Sequence, residues 1–119
     1  MARIILIDDD QPFRDMLSKV LVTAGHEVSA AGNGFDGMAL FREKNADLIL
    51  TDLQMPHGGL PTIRVLREQY PTLPIIAISG SRSPLAIAGA LGATQLMAKP
   101  FPLQELLDTI ERSLRPATS

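Results

Sequence analysis

Two hydrophobic patterns alternate along this chain. Short runs of consecutive apolar residues, typical of strands buried on both faces, are separated by stretches in which apolar residues recur every three or four positions, as on one face of a helix. The runs lie at residues 4–7, 28–31, 48–51, 75–78 and 96–98. Five strands alternating with five helices predict an α/β fold, in which right-handed crossovers place helices on both faces of a parallel sheet.

The helical stretches carry recognisable start signals. Asn33 is the predicted N-cap of the second helix, and a loop over residues 55–59 precedes the third. Ser83 is the predicted N-cap of the fourth helix, with Pro84 in its first turn, and the fifth starts at Pro102. Two helices show clear apolar faces, made of Phe13, Met16, Leu17, Val20 and Leu21 in the first and of Leu103, Leu106, Leu107, Ile110 and Leu114 in the last.

Polar side chains follow four of the five predicted strands. Asp8 and Asp9 come directly after the first strand, Asp52 after the third, Ser79 after the fourth and Lys99 after the fifth. The carboxyl ends of parallel strands meet at one edge of the sheet, where open α/β sheets bind ligands. We therefore expect three carboxylates, a hydroxyl and an ammonium to converge there.

This set of groups suits phosphoryl chemistry. Clustered carboxylates repel one another, so they require raised pKa values or a bound cation. Hard oxygen ligands with an open coordination shell favour Mg²⁺, which shares its shell with phosphate oxygens. One carboxylate could then act as the attacking group, while the ammonium of Lys99 and the hydroxyl of Ser79 orient the phosphoryl oxygens.

Size and composition narrow the function further. The 119 residues fit one domain, and the absence of cysteine excludes disulfides and thiolate metal sites. No stretch approaches the roughly 20 apolar residues that span a bilayer, and no secretory signal precedes the first strand. With a net charge of −2 and no basic cluster, we expect a cytoplasmic protein that contacts neither membrane nor nucleic acid directly.

The order and spacing of these motifs resemble the receiver domain of two-component response regulators over essentially the whole chain. The matching motifs are Asp8-Asp9, Asp52 with Met55-Pro56 close behind, Ser79, and Lys99-Pro100-Phe101. The resemblance implies a single receiver domain over residues 1–119 with a flavodoxin-like strand order, 2-1-3-4-5. It also implies phosphoryl transfer from a histidine kinase or a histidine phosphotransfer protein.

Roles for the acidic residues follow from the same resemblance. Asp52 would be the phosphoacceptor, and Asp9 and Asp52 would contact Mg²⁺ directly. Asp8 would act mainly through a metal-bound water, and the backbone carbonyl of Gln54 would complete the protein ligands. The receiver would be a switch with only its own phosphorylation and dephosphorylation as chemistry, and no turnover enzyme.

The resemblance also assigns the groups that would contact the phosphoryl oxygens. Lys99 would pair with the phosphoryl group, through a cis Lys99-Pro100 bond, and Ser79 would move toward it as the switch hydroxyl. We further predict the backbone N–H groups of Leu53 and Gly80 as oxyanion donors. A downstream target or a second copy would read the state on the face of helix four, strand five and helix five.

The chain departs from the family pattern at several points. Leu96 stands where the family usually has an aromatic switch residue, so a rotamer switch of an aromatic ring is excluded. The loop at 57–59 is short and lacks its usual acidic residue, and the segment between Ser79 and Lys99 is also short. The fourth helix is almost entirely apolar, so it is either more deeply buried than usual or exposes an apolar patch.

Several alternatives stay open on the sequence alone. The chain could be a degenerate receiver that binds a partner without phosphorylation, or an aspartyl-nucleophile phosphatase of the haloacid dehalogenase type, although Gln54 stands where such enzymes place a second aspartate. Asp10 is interpreted as a helix N-cap. His57 is either a solvated loop residue or a contact for the incoming phosphohistidine, and His26 is expected only to open the second strand.

Overall fold

The computed structural model describes residues 1–54 and 59–115. Five parallel strands form one sheet in the order β2-β1-β3-β4-β5. The strands are β1 (Arg3–Ile7), β2 (Glu27–Ala31), β3 (Leu48–Asp52), β4 (Ile75–Ser79) and β5 (Gln95–Ala98). The predicted fold class and the 2-1-3-4-5 strand order are therefore confirmed.

Five helices connect and follow these strands. They are α1 (Gln11–Thr23), α2 (Gly34–Lys44), α3 (Gly59–Gln69), α4 (Arg82–Leu91) and α5 (Leu103–Leu114). Asn33 caps α2 as predicted, because its side chain accepts a hydrogen bond from the Asp36 N–H. None of the described helices is long and apolar enough to cross a lipid bilayer.

The sheet is buried between two apolar layers. Alternate residues of β1 point to opposite faces, so Ile4 and Leu6 join one core while Ile5 and Ile7 join the other. The first core is completed by residues of α1 and α5, among them Leu17, Leu21, Leu106 and Ile110. The second is completed by residues of α2, α3 and α4, among them Phe41, Ile63, Leu66, Leu85 and Ala88. Burial on both faces explains why the strands read as continuous apolar runs.

The starts of α4 and α3 and the role of His26 differ from the sequence prediction. The N-cap of α4 is Ser81, two residues before the predicted Ser83, so Pro84 lies at the third helical position. Gly59 begins α3 instead of ending a loop. His26 does more than open the second strand, since its ring is buried and Nδ1 accepts a hydrogen bond from the Ala2 N–H at 3.2 Å.

Two predicted core residues are partly exposed. Met16 of α1 is 39% exposed, because it lies at the margin of the apolar face of its helix. Leu103 is 40% exposed, because it is the first residue of α5. The Met55-Pro56 motif, His57, the shortened part of the loop at residues 57 and 58, and the tail at 116–119 lie outside the described residues.

Arg67 links two loops, the α3–β4 loop and the α4–β5 loop, at the end of the sheet opposite the acidic residues. Its guanidinium donates hydrogen bonds to the carbonyls of Tyr70 at 2.8 Å, Leu73 at 2.7 Å and Gly92 at 2.8 and 3.0 Å. Gly92 is the left-handed C-cap of α4. Burial lowers the pKa of Arg67 from its ordinary value. One side chain thus satisfies carbonyls after α3, before β4 and after α4.

Arg67→Ala should destabilise the domain by about 2–4 kcal/mol, because several partly buried carbonyls lose a charged donor at once. The matched control is Arg64→Ala in the same helix. The Arg64 side chain is 71% exposed and forms an ion pair with the exposed Glu68, so this change should cost less than about 0.5 kcal/mol. Urea unfolding of both variants measures the difference. Equal losses would show that the Arg67 hydrogen bonds add nothing to stability.

Candidate functional site

Three carboxylates meet at the carboxyl ends of β1 and β3. Asp8 and Asp9 follow β1, and Asp52 is the last residue of β3. Pairing of these two strands in register, with Ile7 opposite Thr51, brings the following residues side by side. One carboxylate oxygen from each of the three lies within 4.8 Å of the others. Asp8 and Asp52 are buried, whereas Asp9 is exposed.

Burial raises the pKa of Asp8 to about 6, and the nearby Asp52 and Asp9 carboxylates push the pKa the same way. The hydrogen bond that Asp8 Oδ1 accepts from the Asp10 N–H, at 2.9 Å, and the charge of Lys99 oppose this shift. The electrostatic conflict predicted from the sequence is therefore present. A cation between the carboxylates would relieve it.

Lys99 supplies a positive charge to the same cluster. Its Nζ lies 3.6 Å from Asp52 Oδ2 and 3.8 Å from Asp8 Oδ2. It also lies 4.3 Å from the ring centroid of Phe13, a cation–π contact. The Lys99 N–H pairs with the Ser79 carbonyl, and the Lys99-Pro100 bond is cis, as expected. Phe13 was predicted mainly as a core residue, with kinase docking as the alternative, and nothing in the sequence pattern indicated its contact with Lys99.

The backbone around Asp52 corrects one prediction. The Leu53 N–H donates to the Ile78 carbonyl at 2.9 Å. It is therefore part of the β3–β4 pairing and is not a free oxyanion donor. The next N–H, that of Gln54, instead donates to Asp52 Oδ1 at 3.2 Å. The donor facing the acidic cluster is thus one residue further along the chain than predicted.

The loop between β4 and α4 closes the other side of the site. Ser79 is fully buried, and its hydroxyl accepts a hydrogen bond from the Ser81 N–H at 3.0 Å. The Gly80 N–H donates to the side-chain carbonyl of Gln54 at 3.2 Å, and Gln54 Nε2 donates to the Ser81 hydroxyl at 3.4 Å. The side chain of Gln54, which the sequence did not single out, therefore spans from β3 to the start of α4.

Two further residues support the acidic cluster. Asp10 is the N-cap of α1, as interpreted from the sequence, and accepts from the Phe13 N–H at 3.3 Å. Arg14 donates from Nη1 to the backbone carbonyl of Asp8 at 2.7 Å. Its guanidinium lies against Gly32, where a side chain would crowd it. Arg14 thus fixes the backbone that carries the two neighbouring carboxylates.

The apolar helix α4 is only partly buried. Leu85 and Ala88 face the core, while Ile87 is 49% exposed. Leu96 of β5 is 44% exposed and lies beside Gly89 of α4, where an added Cβ would come within 3.3 Å of it. Of the two readings of this helix, an exposed apolar patch is therefore the one observed.

Comparison with known families agrees with this geometry. The family model described as the response regulator receiver domain matches residues 4–111. The chain belongs to this receiver family. The match runs from β1 into α5 and includes all three carboxylates and Lys99.

The chain matches a part of each of two longer proteins. The chain is 35% identical over 98% of its length to the DNA-binding transcriptional regulator NtrC of Azospirillum brasilense, and spans 25% of that protein. It is 33% identical over 91% of its length to the CAI-1 autoinducer sensor kinase/phosphatase CqsS of Vibrio cholerae, and spans 17% of it. The solved response regulator TrrA of Thermotoga maritima, in complex with Mg²⁺ and BeF, superposes with a TM-score of 0.88 at 27% identity, covering 96% of this chain and 100% of TrrA.

Proposed function

We propose that this receiver accepts a phosphoryl group on Asp52 from a phosphohistidine, in a reaction that depends on Mg²⁺. The observation that carries the proposal is the convergence of three carboxylates with the ammonium of Lys99, 3.6 Å from Asp52 Oδ2. Its histidine donor would be a histidine kinase or a phosphotransfer protein. A carboxylate nucleophile held beside a fixed cation is the arrangement that phosphoryl transfer requires.

Each residue of the cluster has a distinct task in this proposal. Asp52 attacks phosphorus as the donor's P–N bond breaks, and Lys99 pairs with the negative charge on the transferred group. The Ser79 hydroxyl and the Gly80 N–H donate to phosphoryl oxygens. Asp9 and Asp52 would hold Mg²⁺ directly, Asp8 through a water, and the Gln54 backbone carbonyl would complete the set.

The donor set fits Mg²⁺. Three carboxylates within 4.8 Å, one of them exposed to solvent, offer hard oxygen ligands and leave room for waters. When bound, Mg²⁺ would cancel the repulsion between the carboxylates and neutralise charge on the phosphoryl oxygens. The structure of TrrA with Mg²⁺ and BeF supports the assignment by similarity.

The output surface proposed for this receiver is the face formed by α4, β5 and α5. Its exposed apolar side chains are Ile87, Leu96 and Leu103, one from each element. A downstream target protein or a second copy would bury them. We place the domain in the cytoplasm, where a kinase would reach it. We propose no direct contact with nucleic acid, because the chain carries a net negative charge.

The test is incubation with acetyl phosphate and Mg²⁺, followed by intact-mass measurement. The expected result is one added phosphoryl group per chain, which forms with Mg²⁺, does not form with excess chelator, and is released by hydroxylamine as an acyl phosphate. A domain that stays unmodified under all conditions would favour the degenerate receiver. Continuous release of phosphate from a generic phosphate ester would instead favour the phosphatase alternative.

A further inference from the structure

The side chain of Gln54 accepts a hydrogen bond from the Gly80 N–H, a donor that the proposed phosphoryl group would also use. Its Oε1 accepts the Gly80 N–H at 3.2 Å, and its Nε2 donates to the Ser81 hydroxyl at 3.4 Å. A backbone N–H has one hydrogen to donate, so Gly80 cannot fully serve the Gln54 amide and a phosphoryl oxygen together. The two acceptors therefore compete for one donor.

The side chain of Gln54 lies close to the backbone at Gly80. A Cβ added to Gly80 would lie only 3.3 Å from Gln54 Oε1, tighter than ordinary packing. An alanine at position 80 would therefore push Gln54 Oε1 away by a few tenths of an ångström. Gln54, Gly80 and Ser81 are all exposed, so water replaces these hydrogen bonds when they break, and each contributes little to overall stability.

The start of α4 has no internal cap to replace this contact. An N-cap serine normally accepts from the N–H at the second or third helical position. In α4 the third position is Pro84, which has no N–H, and Ser81 makes no side-chain cap hydrogen bond. The hydroxyl of Ser81 is held by Gln54, and its N–H by the Ser79 hydroxyl. Both hydrogen bonds of Ser81 are therefore made with residues of the proposed phosphorylation site.

We propose that the Gln54 side chain is a latch that holds the β4–α4 loop in the unmodified receiver and competes with the phosphoryl group for the Gly80 N–H. This inference rests on the proposed function. Phosphorylation would take the Gly80 N–H from Gln54 and the hydroxyl of Ser79 from Ser81. The first turn of α4 would then be released, while Arg67 still holds the other end of the helix at Gly92. Gln54 is thus a positioning residue, and its latch offers a coupling route that needs no aromatic ring at Leu96.

The first test compares Gln54→Met, which keeps the length of the side chain but removes both hydrogen bonds, with wild type. Hydrogen exchange of the Gly80 amide in the unmodified protein should become about threefold to tenfold faster. Beryllofluoride with Mg²⁺ should bind about threefold to tenfold more tightly, because a larger fraction of the variant is already competent. Once beryllofluoride is bound, the two proteins should show the same exchange in the β4–α4 loop.

Two further variants make the result specific. Gln69→Met makes the same change on the exposed end of α3, where the amide accepts a hydrogen bond from Arg42, and should behave as wild type in both measurements. Gly80→Ala keeps Gln54 and the backbone N–H but crowds Oε1, so it should shift both measurements in the same direction as Gln54→Met.

The outcomes separate the two proposals. If wild type and Gln54→Met bind beryllofluoride equally and exchange equally, the latch is wrong while the proposed function stands. If neither protein binds beryllofluoride, the proposed function is wrong and the competition fails with it. Weaker binding by Gln54→Met would also overturn the latch, since it would show that the amide assists the phosphoryl group.

Discussion

Asp52→Asn is expected to leave the domain folded and to remove its ability to accept a phosphoryl group. The asparagine side chain keeps the shape of Asp52 and the acceptor for the Gln54 N–H, but an amide oxygen is a far weaker nucleophile than a carboxylate. Loss of the nucleophile should lower the rate of adduct formation on the order of a thousandfold or more. Intact-mass spectra after incubation with acetyl phosphate and Mg²⁺ measure the effect.

A matched substitution separates this effect from a general loss of negative charge. Asp15→Asn removes an exposed carboxylate from α1, outside the acidic cluster, and should be phosphorylated at the wild-type rate. Asp8 and Asp9 remain in the Asp52→Asn protein, so a residual adduct would be traced to one of them by peptide mapping. Undiminished phosphorylation of Asp52→Asn would remove Asp52 from the role of acceptor.

The arrangement of the strands could be predicted because their burial leaves a direct mark on the sequence. Each strand is covered on both faces, so each appears as a continuous apolar run. The polar residue that ends such a run then lies at the edge where all strands end. For this reason the acidic cluster and Lys99 were placed correctly from the sequence, before any side-chain geometry was known.

The error at the start of α4 reflects a contact between residues that lie far apart in the sequence. Ser83-Pro84 has the form of an N-cap followed by a first-turn proline, but Ser81 has equal capping chemistry and lies two residues earlier. The hydroxyl of Ser81 contacts Gln54, which follows the neighbouring strand β3 and lies 27 residues earlier in the chain. Local propensity carries no information on such contacts, so the boundary was predicted two residues late.

Hydrogen-bond partners were the least predictable part of the site. The Leu53 N–H was predicted as an oxyanion donor, yet it pairs with Ile78 because β3 and β4 stay in register as far as Asp52. The cation–π contact of Lys99 with Phe13 and the bond from Arg14 to the Asp8 carbonyl join residues of α1 to the strand ends. Such contacts depend on angles between elements, which no spacing rule in the sequence specifies.

Asp8→Asn is expected to stabilise the metal-free domain by about 2–3 kcal/mol near neutral pH, because it removes a buried charge. The folded domain holds the pKa of Asp8 at about 6, against 3.8 for the free side chain. A shift of about two units corresponds to about 3 kcal/mol, because each unit is worth about 1.4 kcal/mol. The amide of the variant keeps the acceptor for the Asp10 N–H and avoids the charge that burial opposes.

The effect should depend on pH in a definite direction. Between the two pKa values the folded domain keeps a proton on Asp8 that the unfolded chain has lost, so the wild-type free energy of unfolding falls as pH rises from about 4 to about 6. Below this range Asp8 is protonated in both the folded and the unfolded state, so the two proteins should have the same free energy of unfolding. Above about pH 6 the difference in free energy of unfolding between variant and wild type should be constant. The variant also loses the ion pair between Lys99 Nζ and Asp8 Oδ2 at 3.8 Å, which lowers its gain in free energy of unfolding.

Urea unfolding in chelator-treated buffer, at several pH values between 3.5 and 8, measures the difference between wild type and Asp8→Asn. Asp15→Asn serves as the control and should show no such pH-dependent gain, because its carboxylate is exposed. Excess Mg²⁺ should narrow the gap, since a cation bound by the carboxylates stabilises the wild-type folded state more than the variant. A variant that is less stable than wild type at pH 7.5 without Mg²⁺ would show that burial and repulsion do not govern this carboxylate.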